Sequence, residues 1–455
     1  MVAQIGRFLK GLERIYQVAW YHRNDMQHEV SEHELVGGAK LLAVDTPGAI
    51  SFYFSSHVRN GHRFCDPKIY EVPHLLEHLV FEGNTRYPEP IEFKSAVERL
   101  GAAYNASTGF NQTRYYFVAG TDFREEIVEL GLDQLLTPLI DPVRVGQQKQ
   151  VIDQELRRRL DNDRGNRSYR HNHTLFPVMN LDWEERIKRL ARITPEDVRE
   201  YWEHTYVTSN LRFVVAGDLG AGRLAVMLKQ LNRRLKTHPT GTPFKYEPLK
   251  SGRYHRKVTA FPSHIPSQDH FYLTFTELGR DEEAVAALML LNCVYDGGLA
   301  SRMKMKSREQ GLTYTFNSGY SSGFDSTELW MADQTAPDKL YDLVKLGVTE
   351  LRGTLTGTIS DAEMERARGL IVGSLQRSFQ TPAALASWYD YRFLFDLPRL
   401  SPDGWIEQAR AVDRDAIRKA GQKYVTPDNW SLTLIGQGLD SQTDRYKKLL
   451  ISAFS

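Results

Sequence analysis

Apolar, β-rich runs at GAKLLAVDT, AISFYFSSHV and TRYYFVAG predict three strands in the first third of the chain. Between the second and the third lies PHLLEHLVFEG, whose leucines suit a helix. Amphipathic patterns starting near Phe123 and Val143 predict further helices. Strands beside strands, followed by grouped helices, give an α+β fold with a mainly antiparallel sheet packed by helices.

The pattern then recurs. TPEDVREYWEHTYVTSNLRFVVAGDL, from Thr194, matches DRDAIRKAGQKYVTPDNWSLTLIGQGL, from Asp413: an acidic helix start, an amphipathic helix, YVT, and an apolar run closing at Gly217 or Gly436. QKQVIDQELRRRLDN matches RARGLIVGSLQRSFQ at nearly the same offset, with Leu156 on Leu375. A fainter pair is AAYNASTGFNQTRYYFVAG and YTFNSGYSSGFDSTELWMAD. Three matches at one offset predict two homologous domains, residues 1–235 and 252–455. KTHPTGTPFKYEPLK, with three prolines and no apolar periodicity, falls in the linker expected over 236–251.

Charge narrows the partners. Lysine and arginine total 58 against 57 acidic residues, so no net charge favours nucleic acid or an anionic membrane. Two cysteines, Cys65 and Cys293, exclude both a disulfide framework and a thiolate zinc site. The N-terminal stretch shows no signal-peptide core, and no run reaches the roughly 18 apolar residues of a membrane span. A soluble, cytoplasmic protein is the expectation.

HLLEH, residues 74–78, carries the candidate chemistry. Residues four apart stack on one helix face, so His74 and His78 can chelate one metal ion. Glu77 lies near that face without stacking on it, placed to reach a metal-bound water. Neutral imidazoles suit Zn²⁺, and a catalytic zinc takes about three protein ligands. Alternatively, histidines on a leucine-rich helix are ordinary core residues. The duplication bears on the choice: the matching stretch of copy two, AVAALMLLNCVYDGG, has neither histidine nor glutamate, and Glu155 faces Ser374 there. Glu155 is thus the candidate third ligand.

HLLEH, LVFEGNTRYP, a glutamate 77 residues after the second histidine, ERLGAAYNASTGFNQTRYYF, and REQGLTY in copy two together resemble the M16 metallopeptidases. These are the inverzincins, which include pitrilysin, insulin-degrading enzyme and the mitochondrial processing peptidases. The resemblance implies one Zn²⁺ per chain on His74, His78 and Glu155, with Glu77 as general base for attack of metal-bound water on a peptide bond. It implies that Asn105 and Ala106 lie on an edge strand that pairs with the substrate peptide, and that Tyr314 binds substrate. Taken alone, Asn105 reads equally as a turn residue and Tyr314 as a half-buried strand aromatic. Short family members assemble from two chains, so a dimer is implied, a homodimer in preference to a heterodimer with a second M16-like chain. The expected partner is a peptide or unfolded protein substrate.

Three departures stand out. Gln148 occupies a position where the family commonly has a glutamate, so its support of the metal lacks charge. The arginine that usually precedes the tyrosine by seven residues falls on Ser307, with Arg308 one place off, about 100° around a helix. FPVMNLDWEER replaces the usual stretch after the third ligand, and His171 and His173 nearby read as surface histidines without a role. Gln148 and Ser307 motivate the alternative, a weakly active or inactive peptide-binding scaffold. A structural zinc site is disfavoured by three visible ligands and a built-in base.

Overall fold

A computed structural model describes residues 19–21, 27–176, 180–246, 256–263 and 265–454. The N-terminal stretch to residue 18, residues 177–179 of FPVMNLDWEER and residues 247–251 of the expected linker lie outside them.

The chain forms two sheets. In the first, β1 (Ala19–Tyr21), β2 (His28–Glu34), β3 (Lys40–Asp45), β4 (Ser51–Val58), β5 (Ala103–Thr108), β6 (Thr113–Gly120) and β7 (Leu211–Gly217) run in the order β1-β2-β3-β7-β4-β6-β5. In the second, β8 (Lys257–Phe261), β9 (Asp269–Leu278), β10 (Asn317–Ser322), β11 (Ser326–Thr335) and β12 (Trp430–Ile435) run β10-β11-β9-β12-β8. Reading β5-β6-β4-β7-β3 beside that order matches strand for strand. Each sheet also has its parallel pair at the same place, β3 with β7 and β8 with β12, and all other pairs are antiparallel. The repeated sequence pattern is therefore a repeated α+β fold. Strands β1, β2 and β8, which carry weaker patterns, were not foreseen, and neither was β9, despite its largely buried run.

Two compact units result, and each is discontinuous in sequence. One comprises residues 1–150, 189–245 and 378–401; the other comprises 151–188, 246–377 and 402–455. These differ from the halves 1–235 and 252–455, because a helical stretch of each half clusters with the other half's sheet. In the first unit, the helix Arg124–Leu136 packs on β4 and β6. Gly131 permits this approach, since a Cβ there would sit 2.5 Å from the Phe54 ring. The helix Pro382–Leu394 packs on β3, β4 and β7. In the second unit, the helix Leu340–Thr356 packs on β9 and β11, and the helix Asp163–Leu175 packs on β9 and β12.

That second packing corrects one expectation. His171 is 0% exposed, its ring nitrogens bonded to the hydroxyls of Thr433 and Thr274 at 2.9 and 2.8 Å. Burial drives its pKa down to about 3. It is a neutral core histidine, not a surface one. His173 is half-buried and donates from Nδ1 to the Asn180 carbonyl at 2.6 Å.

The described part of the linker has no helix or strand after Leu235. Its backbone is held instead by Thr208 N donating to Pro239 O at 2.9 Å and by Phe244 N donating to the Asn210 side chain at 2.8 Å. Among the described residues, no helix is long and apolar enough to cross a membrane.

Candidate metal centre

The motif helix spans Val72–Leu79, with Pro73 in its first turn, where a missing N–H costs nothing. Leu75, Leu76 and Leu79 are fully buried and fix its orientation. It lies against the helix Pro195–Thr205 and strand β5. The corresponding helix of copy two, Glu282–Tyr295, lies likewise against Arg414–Tyr424 and β10, but presents apolar residues. After the motif helix the chain turns back at Gly83, whose φ of +136° and 2.5 Å clearance from Pro88 O leave no room for a side chain.

His74 is 7% exposed and His78 half-buried, their rings 4.9 Å apart and nearly perpendicular. Each is braced through Nδ1. His74 donates to the Glu71 carboxylate at 3.1 Å, and His78 donates to the Gln148 side-chain oxygen at 3.1 Å. Both Nε2 atoms are thereby left as the lone-pair donors.

Gln148 and Glu155 share the helix Pro142–Leu160. Seven residues make almost two turns, so both side chains project from one face. This unbroken helix carries Glu155 from the Gln148 contact to the imidazoles. One donor atom each from His74, His78 and Glu155 falls within 4.8 Å of the others. Arg159, one turn on, stands 3.9 Å from Glu155. Two imidazoles and one carboxylate, with the imidazoles held in one tautomer, form a donor set that fits a divalent zinc ion.

Glu77 stands outside this trio. Its carboxylate accepts a hydrogen bond from the Thr108 hydroxyl, at the end of β5. Behind it, the buried Tyr115 and Tyr206 hydroxyls lie 2.7 Å apart. Burial above all, with the Glu77 charge contributing, pushes both phenols up.

Asn105 is exposed in β5, which ends its sheet, and Ala106 beside it is half-buried. Asn105 is therefore a strand residue rather than a turn residue; its side-chain oxygen accepts from Ala106 N at 2.8 Å. Tyr314 is 75% exposed and lies outside any strand, unlike a half-buried strand aromatic. Arg308, on the helix Arg302–Glu309, sits over its ring at 4.3 Å and donates to its carbonyl. Ser307 turns into the core. The one-residue shift thus buries the serine and pairs the arginine with the tyrosine.

Sequence reasoning missed Glu71 and Thr108. Glu71 had a signal, an acid one helical turn before His74. Thr108 had none, because only the sheet brings it to the helix.

The description "Insulinase (Peptidase family M16)" belongs to the family model matching residues 45–175, the stretch that includes HLLEH and Glu155. A second model, "Peptidase M16 inactive domain", matches residues 192–370. An uncharacterized zinc protease of Streptomyces coelicolor is 26% identical over 426 residues, covering 90% of each chain. The uncharacterized zinc protease YmxG of Bacillus subtilis is 23% identical, over 89% of this chain and 98% of its own. Among solved structures, a protease from Helicobacter pylori shares the fold with a TM-score of 0.79 at 17% identity, covering 89% of this chain and 99% of its own. The periplasmic protease PqqL of Escherichia coli gives 0.74 at 15%; the match covers 95% of this chain but 50% of that one. With a family model on each copy of the repeat and zinc proteases as full-length relatives, the chain belongs to peptidase family M16.

Proposed function

We propose that this chain is a zinc-dependent endopeptidase acting on peptides or extended protein segments. The observation that carries the reading is the convergence of donor atoms from His74, His78 and Glu155 within 4.8 Å, with Glu77 on the histidines' helix, outside the donor set and bonded to Thr108.

His74 and His78, through Nε2, and Glu155 would hold one zinc ion. When bound, it would polarise the scissile carbonyl and make a water acidic enough to lose its proton near neutral pH. Glu77 takes the proton from the attacking water and passes it to the leaving amine. Thr108 holds the Glu77 carboxylate in one orientation. An extended substrate adds to the β5 edge through backbone hydrogen bonds, alongside Asn105 and Ala106, with affinity that depends little on side chains. Tyr314, with Arg308 against its ring, contributes to substrate binding.

The assembly we infer is a dimer, a homodimer in preference to a heterodimer. Its support is the match of this chain to half of PqqL; light scattering on the purified protein tests it. The compartment inferred is the cytoplasm, and fractionation tests it against the periplasm.

The deciding experiment measures zinc content and cleavage of a quenched fluorogenic peptide, with Glu77→Gln as control. Stoichiometric zinc with cleavage abolished in the variant is expected. Stoichiometric zinc with no cleavage by either protein would instead favour a peptide-binding scaffold.

A further inference from the structure

The two imidazoles of the candidate centre are braced by groups of different charge. His78 leans on a neutral amide, Gln148, whereas His74 leans on a carboxylate, Glu71. Glu71 occupies the N-cap of the motif helix, where an acidic side chain ordinarily accepts from first-turn N–H groups. It makes no such bond, and its carboxylate goes to the imidazole instead. It is also fully buried. A carboxylate in such a place is costly unless hydrogen bonds and opposite charge offset its lost hydration. A divalent ion held by two neutral imidazoles and the Glu155 carboxylate would keep one positive charge, and the Glu71 carboxylate, bonded to His74 Nδ1, would offset it through that imidazole.

We propose that Glu71 is the positioning residue of this centre, fixing the His74 tautomer and supplying through it the negative charge that the Gln148 brace lacks. The inference rests on the zinc reading above. It also implies that the charge is transferable: a carboxylate on either imidazole should serve.

The test is zinc affinity of the full chain, by competition with a fluorescent chelator, for the natural protein, Glu71→Gln, Gln148→Glu and the double variant. Thermal unfolding of the metal-free forms reports folding. Glu71→Gln is expected to weaken zinc about 10–100-fold. The double variant is expected to return to within a few-fold of the natural protein, and Gln148→Glu alone to bind several-fold tighter. Unchanged affinity in Glu71→Gln overturns the proposal. So does a loss that Gln148→Glu does not rescue, because local packing rather than charge would then be at fault. Should Glu71→Gln fail to fold, unchanged affinity in Gln148→Glu decides against it. A natural chain that takes up no zinc overturns the underlying metal reading, an outcome distinct from all of these.

Discussion

The Thr108 hydroxyl donates a hydrogen bond to the Glu77 carboxylate, tying the last residue of the β5 edge strand to the proposed base on the motif helix. A hydrogen bond to a charged group contributes about 1.5–3 kcal/mol. Thr108→Val keeps the shape and removes the donor. Peptide turnover is expected to fall roughly tenfold or more, with zinc content unchanged. An unaltered kcat would show that Glu77 does not need this anchor.

Glu77→Gln keeps the size of the side chain and removes its basicity. General base catalysis contributes on the order of 10²–10⁴-fold, so hydrolysis should fall by that much while zinc stays bound. Loss of zinc along with activity would make Glu77 a ligand rather than a base.

Removing a ligand should separate from removing the base. Glu155→Ala is expected to purify with little zinc and to show a Tm that a chelator no longer lowers. The natural protein should lose both activity and Tm on chelation, since an ion that binds only the folded state stabilises it. A chelator-sensitive Tm in Glu155→Ala would remove Glu155 from the ligand set.

Arg308 and Tyr314 should act as one unit in substrate binding, because the guanidinium lies 4.3 Å from the ring centroid. Each alanine variant should raise KM, and the double variant should raise it little more than either single one. Additive effects in the double-mutant cycle would mean that the pair is not coupled.

In the second unit, Asp296 is 5% exposed, and burial raises its pKa to about 7 despite Lys304 at 3.5 Å and a hydrogen bond from Ser318. The folded state therefore holds this proton more tightly than the unfolded chain does. Its protonated form leaves stability intact in acid, and stability is lost as pH rises from the ordinary carboxylate range through about 7. The loss is on the order of a few kcal/mol. Asp296→Asn, neutral at every pH, should flatten this part of the stability profile between pH 5 and 8. Parallel unfolding curves for the two proteins across that range would count against it.

The zinc-site candidates were legible because their relationships are local or repeated. His74 and His78, four residues apart, stack on one helix face with Glu77 close to that face, as 3.6 residues per turn dictates. Glu155 emerged from comparing the two copies, since its counterpart is Ser374. The α+β fold was legible in the same way, as apolar runs that occur twice in the same order.

Other features rest on contacts between residues far apart in the chain, which no periodicity encodes. Thr108 meets Glu77 only because β5 runs beside the motif helix, and Gln148 meets His78 only because a helix 70 residues on packs there. The same holds for His171, which belongs to a polar, charged segment and reads as exposed until threonines from β9 and β12 close over it. By itself the sequence determined which side chains share a helix face and that the fold is duplicated, because backbone geometry repeats at fixed spacing. The tertiary structure alone decided how each imidazole is braced and which helices join which sheet, because those follow from long-range burial and hydrogen-bond satisfaction.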